Sequence, residues 1–339
     1  MKDGASAPGE YPMETFQQSK ARLTDAGAIP VIDFGPFLHG DAADRKAVAR
    51  AMRQASADWG FFYLSSHGVP ASLLDRSFQT SERFFARPYE EKMGVAWQNA
   101  SSNRGYVAVR RERLDASKPG DLKEAFNAGP EPGALSEAER PYRENRWPDQ
   151  PADFRATVMA LMDGCVAASN RVLEAFALAL DLPDGFFVDA HDQLHHTLRL
   201  LHYPPLPRDY TPQAGEKRAG AHTDYGSITL LFQHGVAGLE VRTRDGEWIT
   251  APPIPGTVVV NTGDLMQRWT NDVFCSTPHR VSPFVSGDSP GRYSIAFFCH
   301  PNPDAEIRCI ESCADENNPP RYPSILAGEH LMAKLNATY

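Results

Sequence analysis

No stretch of the 339 residues approaches the length of an apolar membrane span. The N-terminus, Met1 to Glu10, lacks the apolar centre of a secretory signal. Positive charge is in the minority: 34 Lys and Arg against 43 Asp and Glu leave a net charge of −9. That balance disfavours nucleic acid and anionic membrane as partners. Cysteine is sparse and odd in number, at Cys165, Cys275, Cys299, Cys309 and Cys313, with no C-x-x-C pair. A disulfide framework or zinc knuckle is thereby disfavoured, and free thiols are expected. Neither early strand-like run is followed by a glycine-rich turn, which argues against a dinucleotide fold. There is no internal repeat. A cytoplasmic enzyme is the default expectation, and a monomer or weak homo-oligomer with a small-molecule substrate is expected.

At 42 % hydrophobic and 23 % charged residues, the chain can bury a sizeable core. Ile29 to Phe34 and Gly60 to Leu64 read as short strands, with helices at Asp41 to Asp58 and Ala71 to Phe85. Residues 98–150 read as irregular, long enough to supply a lid or an entrance. Asp153 to Leu182 has the clearest helical period, with Phe154, Val158, Leu161, Cys165, Val172 and Phe176 on one stripe. From Thr197 the pattern changes to short strands: Thr197 to Tyr203, Ser227 to Phe232, Leu239 to Arg242, Thr257 to Asn261 and Arg292 to Phe298. Turn residues separate them, which suggests a sandwich or barrel, a jelly roll being one solution. A short helix is expected at Pro323 to Leu335.

His222 and Asp224 are two apart, so on a strand both would face the same way. His279 follows 55 positions after Asp224, far enough to return on another strand. Two imidazoles and one carboxylate fill one face of a coordination sphere and leave the opposite positions open, the arrangement used with Fe(II). A structural zinc site is more often closed by four ligands. The pair H-x-D is weak by itself, and the bland reading of any histidine here is a surface or satisfied core residue. His39, His67, His191, His195, His196, His234, His300 and His330 have no partner pattern. His202 falls on the strand face opposite Tyr203 and is expected to be structural.

Arg292 and Ser294 are likewise i and i+2. A guanidinium fork takes a carboxylate bidentately and a hydroxyl adds a donor. Buried in a barrel, Arg292 would need an anionic partner. A dicarboxylate bridging metal and arginine would serve; a structural ion pair to Asp or Glu is the alternative. Alternation places Arg199, Leu201 and Tyr203 on one face, from which the Tyr203 phenol can reach the same distal carboxylate. Candidates for the substrate pocket are Asn103, Arg104, Tyr106, Phe126, Arg199 and Phe298, with core packing the alternative for Phe126 and Phe298. Arg110, Arg111 and Arg113 read as a solvated charge run. A hydrophobic small molecule, with or without a carboxylate, is the expected substrate.

Together these motifs resemble the iron(II)/2-oxoglutarate-dependent dioxygenases of the isopenicillin N synthase-like type. The resemblance spans most of the chain: I-P-V-I-D-F from Ile29, W-G-F-F-Y-L-S-S-H-G-V from Trp59, L-R-L-L-H-Y-P-P from Leu198, H-T-D-Y-G-S-I-T-L-L-F-Q from His222, G-L-E-V from Gly238, V-V-N-T-G-D from Val259, S-T-P-H-R-V from Ser276 and R-Y-S-I-A-F-F from Arg292. It implies a mixed α/β fold with a mainly β core: a double-stranded β-helix, or jelly roll, with surrounding helices and an N-terminal α/β region. It implies Fe(II) on His222, Asp224 and His279. It further implies 2-oxoglutarate on Arg292, Ser294 and Tyr203, O₂ as second co-substrate, and ascorbate as a candidate stimulant. The expected organisation is a flexible lead-in over 1–28, an N-terminal dioxygenase region with entrance loops over 29–150, a support helix and catalytic core over 151–303, and a C-terminal extension over 304–339. Leu201 departs from the asparagine that many plant relatives carry near the co-substrate. The implied activity is oxidation, above all hydroxylation, of a small organic molecule with release of succinate and CO₂. A 2-oxoglutarate-independent oxidase on the same scaffold, a non-catalytic ligand-binding protein and a zinc hydrolase are the competing readings.

Overall fold

The computed structural model describes residues 29–98, 103–113, 119–131, 133, 143–207, 209–211, 213, 215–281 and 291–338. The expected lead-in at 1–28 and most of 130–142 lie outside these residues.

Seven helices are described: α1 (Gly35–His39), α2 (Ala42–Asp58), α3 (Ala71–Phe85), α4 (Tyr89–Met93), α5 (Phe154–Ala179), α6 (Asp264–Trp269) and α7 (Ala327–Thr338). The strands are β1 (Val31–Asp33), β2 (Phe61–Ser65), β3 (Gly105–Val107), β4 (Glu124–Ala128), β5 (Thr197–Tyr203), β6 (Ala219–His222), β7 (Ile228–His234), β8 (Leu239–Arg242), β9 (Trp248–Thr250), β10 (Thr257–Thr262), β11 (His279–Val281), β12 (Arg292–Cys299), β13 (Glu306–Ile307) and β14 (Ile325–Leu326).

Eight strands form one sheet in the order β1-β2-β10-β7-β12-β5-β4-β3, and four form a second in the order β6-β11-β8-β9. Together they make the double-stranded β-helix. Period-two alternation sorts the side chains of the large sheet. Leu198 and Leu200 of β5, Leu230 and Phe232 of β7, and Ile295 and Phe297 of β12 enter the core shared with the helices. The alternate residues, such as Leu201, Tyr203 and Ala296, belong to the other face. Helix α5 packs against α2 and α3 behind the large sheet. Its stripe Phe154, Val158, Leu161, Cys165, Val172 and Phe176 is at most 2 % exposed, so the helical period does specify core. Helix α2 starts where Asp41 accepts from the Ala43 and Asp44 amides at 2.8 and 3.0 Å, while Asp44 accepts from the Asp41 amide, a reciprocal cap.

Two expectations need correction. The stretch 98–150 is not wholly irregular, because β3 and β4 extend the large sheet through Phe126↔Leu200 and Tyr106↔Phe126 pairing. Strands this short carry too few residues to show a period. Helix α7 begins later than Pro323, after β14 pairs with β13 and the Ala327 amide donates to Ala305 O. The run at Arg110, Arg111 and Arg113 is exposed as expected, with some surface partners. Arg110 pairs with buried Glu216 at 2.6 Å, and Arg111 lies over the Trp97 ring.

Candidate metal and co-substrate site

The two sheets enclose a cavity of about 690 Å³. His222 and His279 face each other across paired strands: β11 runs antiparallel to β6 with His279 opposite His222. Their ring centroids are 4.3 Å apart. Asp224 is not on the strand, contrary to the i, i+2 argument, since β6 ends at His222. It stands in the turn before β7, clasped by the start of α6: the Asp264 amide donates to Asp224 O at 2.7 Å, and Leu265 donates to Gly226 O. Gly263 permits this approach. A Cβ there would lie 2.4 Å from Gly226 O and 2.8 Å from Asp224 O.

One ligand atom from each of His222, Asp224 and His279 lies within 4.8 Å of the other two. Asp224 Oδ1 is 3.9 Å from His222 Nε2 and 3.6 Å from His279 Nε2. The remaining polar atoms are already engaged. His222 Nδ1 meets Gly220 O at 2.9 Å and His279 Nδ1 meets Thr277 O at 3.1 Å, so each Nδ1 carries the proton and each Nε2 presents its lone pair. Asp224 Oδ2 accepts from Thr229 Oγ1 at 2.6 Å and Asn261 Nδ2 at 2.8 Å, which leaves Oδ1 free. Burial, followed by the neighbouring His279, pushes the His222 imidazole down to about 4. Burial would raise the Asp224 carboxyl, but His279, His222 and the two hydrogen bonds outweigh it and hold the group below its ordinary value. A neutral His222 imidazole beside an ionised Asp224 carboxylate suits a divalent metal. The donor set fits Fe(II).

Arg292 and Ser294 lie on the same face of β12, opposite Tyr203 and Leu201 of β5. Arg292 is 2 % exposed. Its Nη2 donates to Gln233 Oε1 at 3.0 Å and its Nη1 to Ser294 Oγ at 3.3 Å, while Nε has no partner. The Tyr203 ring lies beneath, 4.9 Å from the guanidinium carbon. No ion pair of Arg292 is found among the described residues, so the structural-salt-bridge alternative has no support. A buried guanidinium held only by neutral groups fits an incoming carboxylate. Leu201 also faces the cavity, where an asparagine would have offered a hydrogen bond.

The substrate candidates divide. Asn103, Arg104, Arg199 and Phe298 line the cavity. Arg199 has its acidic partner in Glu112, which also takes Lys123 at 3.3 Å. Tyr106 and Phe126 do not line it. They pair in the row of Leu200, whose side chain faces the helices. Phe126 packs edge-on against Phe84 and Phe154, and the Tyr106 hydroxyl donates to Glu124 Oε2 at 2.6 Å. His202 is structural as expected, bonded to Glu124 Oε1 at 2.7 Å and stacked on Tyr293. Sequence reasoning missed His195 and His300, both in the cavity wall, and Leu331, Met332 and Leu335 of α7, which also line it. The apolar spacing in α7 signals only that one face is covered, not by what. Gln233, the second partner of Arg292, lies two residues after cavity-lining Leu231 on β7, and strand alternation is the signal that could have found it.

Residues 29–150 match the family described as the non-haem dioxygenase in morphine synthesis N-terminal region, and residues 194–301 match the 2OG-Fe(II) oxygenase superfamily. The chain is 35 % identical to the 2-oxoglutarate-Fe(II) type oxidoreductase hxnY of Emericella nidulans, over 92 % of this chain and 90 % of that one. A full-length Neurospora crassa protein solved in complex with alpha-KG superposes with a TM-score of 0.84 at 38 % identity, covering 95 % of this chain and all of that one. The same fungal protein in complex with alpha-KG and thymine gives 0.83 at 37 % identity, with 94 % and 100 % covered. Fold, donor set and relatives agree: the chain belongs to the 2-oxoglutarate- and iron(II)-dependent oxygenase superfamily.

Proposed function

We propose that this enzyme hydroxylates a small organic molecule, with His222, Asp224 and His279 holding Fe(II) and Arg292, Ser294 and Tyr203 holding the distal carboxylate of 2-oxoglutarate. The observation that carries the assignment is the convergence of two Nε2 atoms and one Oδ1 while their other polar atoms are engaged. Bound iron supplies the activation of O₂, coupled to oxidative decarboxylation of 2-oxoglutarate to succinate and CO₂.

The chain's own contributions are positional. Gly220 O and Thr277 O orient the two imidazoles; Thr229 and Asn261 aim the carboxylate. Arg292 binds the co-substrate by charge, and Ser294 adds a hydroxyl. Leu201, Leu231 and Ala296 keep that end of the cavity apolar, which strengthens the charge pairing there. Residues 29–150 and 151–303 act as N-terminal region and catalytic core, with 304–339 as a covering extension. No helix among the described residues is long and apolar enough to cross a membrane. The reading extends to a cytoplasmic enzyme, monomeric or weakly associating, and the net charge of −9 disfavours nucleic acid and anionic membrane as partners.

The test incubates the protein with Fe(II), 2-oxoglutarate, ascorbate and air, with candidate substrates, and measures succinate. Succinate above an Asp224→Ala control is expected; its absence with every substrate and without one would sink the co-substrate assignment. Labelled CO₂ from 2-oxoglutarate in step with product distinguishes this reading from an oxidase on the same scaffold.

A further inference from the structure

The cavity wall contains a second buried guanidinium. Arg104 is 8 % exposed, yet no carboxylate pairs with it among the described residues. Its contacts are neutral and long: Asn103 O at 3.3 Å, Thr197 Oγ1 at 3.2 Å and His196 O at 3.4 Å. Nε has no partner at all. The other cavity-lining acids are occupied, Glu112 by Lys123 and Arg199, and Asp224 in the triad. Room for the guanidinium is built in, because a Cβ at Gly129 would lie 2.3 Å from Nη2 and 2.6 Å from Cζ. Burial, followed by the nearby Arg143 charge, pushes the Arg104 guanidinium down. An uncompensated buried cation is costly, and a ligand anion removes that cost.

We propose that Arg104 anchors a carboxylate of the primary substrate, making this enzyme an oxygenase of small apolar carboxylic acids. The proposal rests on the assignment of 2-oxoglutarate to Arg292, which accounts for the other unpaired guanidinium.

Strand register supplies the ruler. Asp224 is bonded to Thr229, and Arg104 to Thr197. Thr229, Phe298 and Thr197 stand side by side in one row across β7, β12 and β5. Two inter-strand spacings separate the ends of that row, roughly 10 Å. Phe298 lies between them as the floor, with His300 stacked beyond it. An acid seated on Arg104 therefore lays its apolar body over Phe298. It offers the metal a carbon several bonds from the carboxylate, not the carbon next to it.

The test titrates the anaerobic Fe(II)- and 2-oxoglutarate-loaded enzyme by calorimetry. Ligands are phenylacetate, 3-phenylpropionate, cyclohexanecarboxylate and indole-3-carboxylate, each against its primary amide, with thymine as a neutral ring. At least one acid is expected to bind tenfold or more tighter than its amide and than thymine. That preference should shrink below threefold in Arg104→Gln and in Gly129→Ala, which keeps the charge but displaces it. The affinity for 2-oxoglutarate, titrated separately, should stay within twofold in both variants. The acid-over-amide comparison in the unaltered enzyme needs no variant to fold. Absence of any acid that outbinds its amide, or a preference that survives both substitutions, overturns the proposal. Failure of the unaltered Fe(II) enzyme to bind 2-oxoglutarate overturns the co-substrate assignment and this proposal with it.

Discussion

Thr229 and Asn261 touch no candidate metal position, yet they hold the oxygen of Asp224 that the triad does not use. Removing either lets the carboxylate rotate. Thr229→Val and Asn261→Leu are each expected to lower Fe(II) affinity by about 10–100-fold with the fold intact, read by metal titration alongside circular dichroism. Away from the site, His191 is a buried histidine used only for structure. Its Nδ1 lies 2.6 Å from Phe187 O and its Nε2 3.0 Å from Ser227 Oγ. Burial is the main cause that pushes it down from 6.5 to about 4. A folded-state value below the unfolded one means the unfolded chain binds the proton first. Stability is therefore full above pH 6.5 and declines as pH falls from 6.5 towards 4, by about 3 kcal/mol when complete. Urea midpoints measured across that window should fall, and His191→Gln should flatten the slope. The metal ligands could be picked out because H-x-D and the later histidine stood in a run of motifs. His195 and His300 could not, since nothing local distinguishes a cavity histidine from a core one.

At the scale of elements, register decides role. Phe126 and Tyr106 were candidate pocket residues, but pairing puts them in the Leu200 row, behind the sheet. Phe126→Ala should cost about 3–5 kcal/mol of stability and leave 2-oxoglutarate affinity unchanged; a pocket residue would show the reverse. Helix α7 is the opposite case. It follows the jelly roll and reads as an appendage, but Leu331, Met332 and Leu335 wall the cavity, and Lys334 ties the helix to Asp264 at 2.8 Å. Deleting residues 327–339 should open the cavity to water. The expected result is a rise in substrate KM of roughly tenfold or more, with a larger share of 2-oxoglutarate turned over without product. Metal affinity should not change, because none of the three ligands lies on α7. Equal KM and coupling in the shortened enzyme would remove α7 from the site.

Across the whole molecule, two sheets from distant parts of the chain are pinned by one small site. β6 and β11 carry the histidines on the minor sheet, while Thr229 and Asn261 hold Asp224 from the major one. Metal binding should therefore stabilise the entire domain, by about 2.7 kcal/mol at one hundred times Kd. Chelator-treated protein should melt several degrees lower than the Fe(II)- or Mn(II)-loaded form, and Asp224→Ala should abolish the difference. The sequence by itself determined the support helix and the strand-rich second half, and the order of its motifs pointed to the jelly roll and to the candidate metal and co-substrate residues. A period of 3.6 marks the helix and a period of two the longer strands, while the histidine pair with a carboxylate and the arginine with a serine two residues on gained meaning from the run of motifs around them. Only the tertiary structure decided which way the short strands β3 and β4 face, that Asp224 is delivered by a turn rather than a strand, and that α7 lines the cavity. Each depends on pairing between residues far apart in sequence, and a one-residue change of register would turn every side chain of a strand to the other face. The same pairing put Arg104 level with the metal triad, with Phe298 between them, which no local pattern around Asn103 and Arg104 encodes.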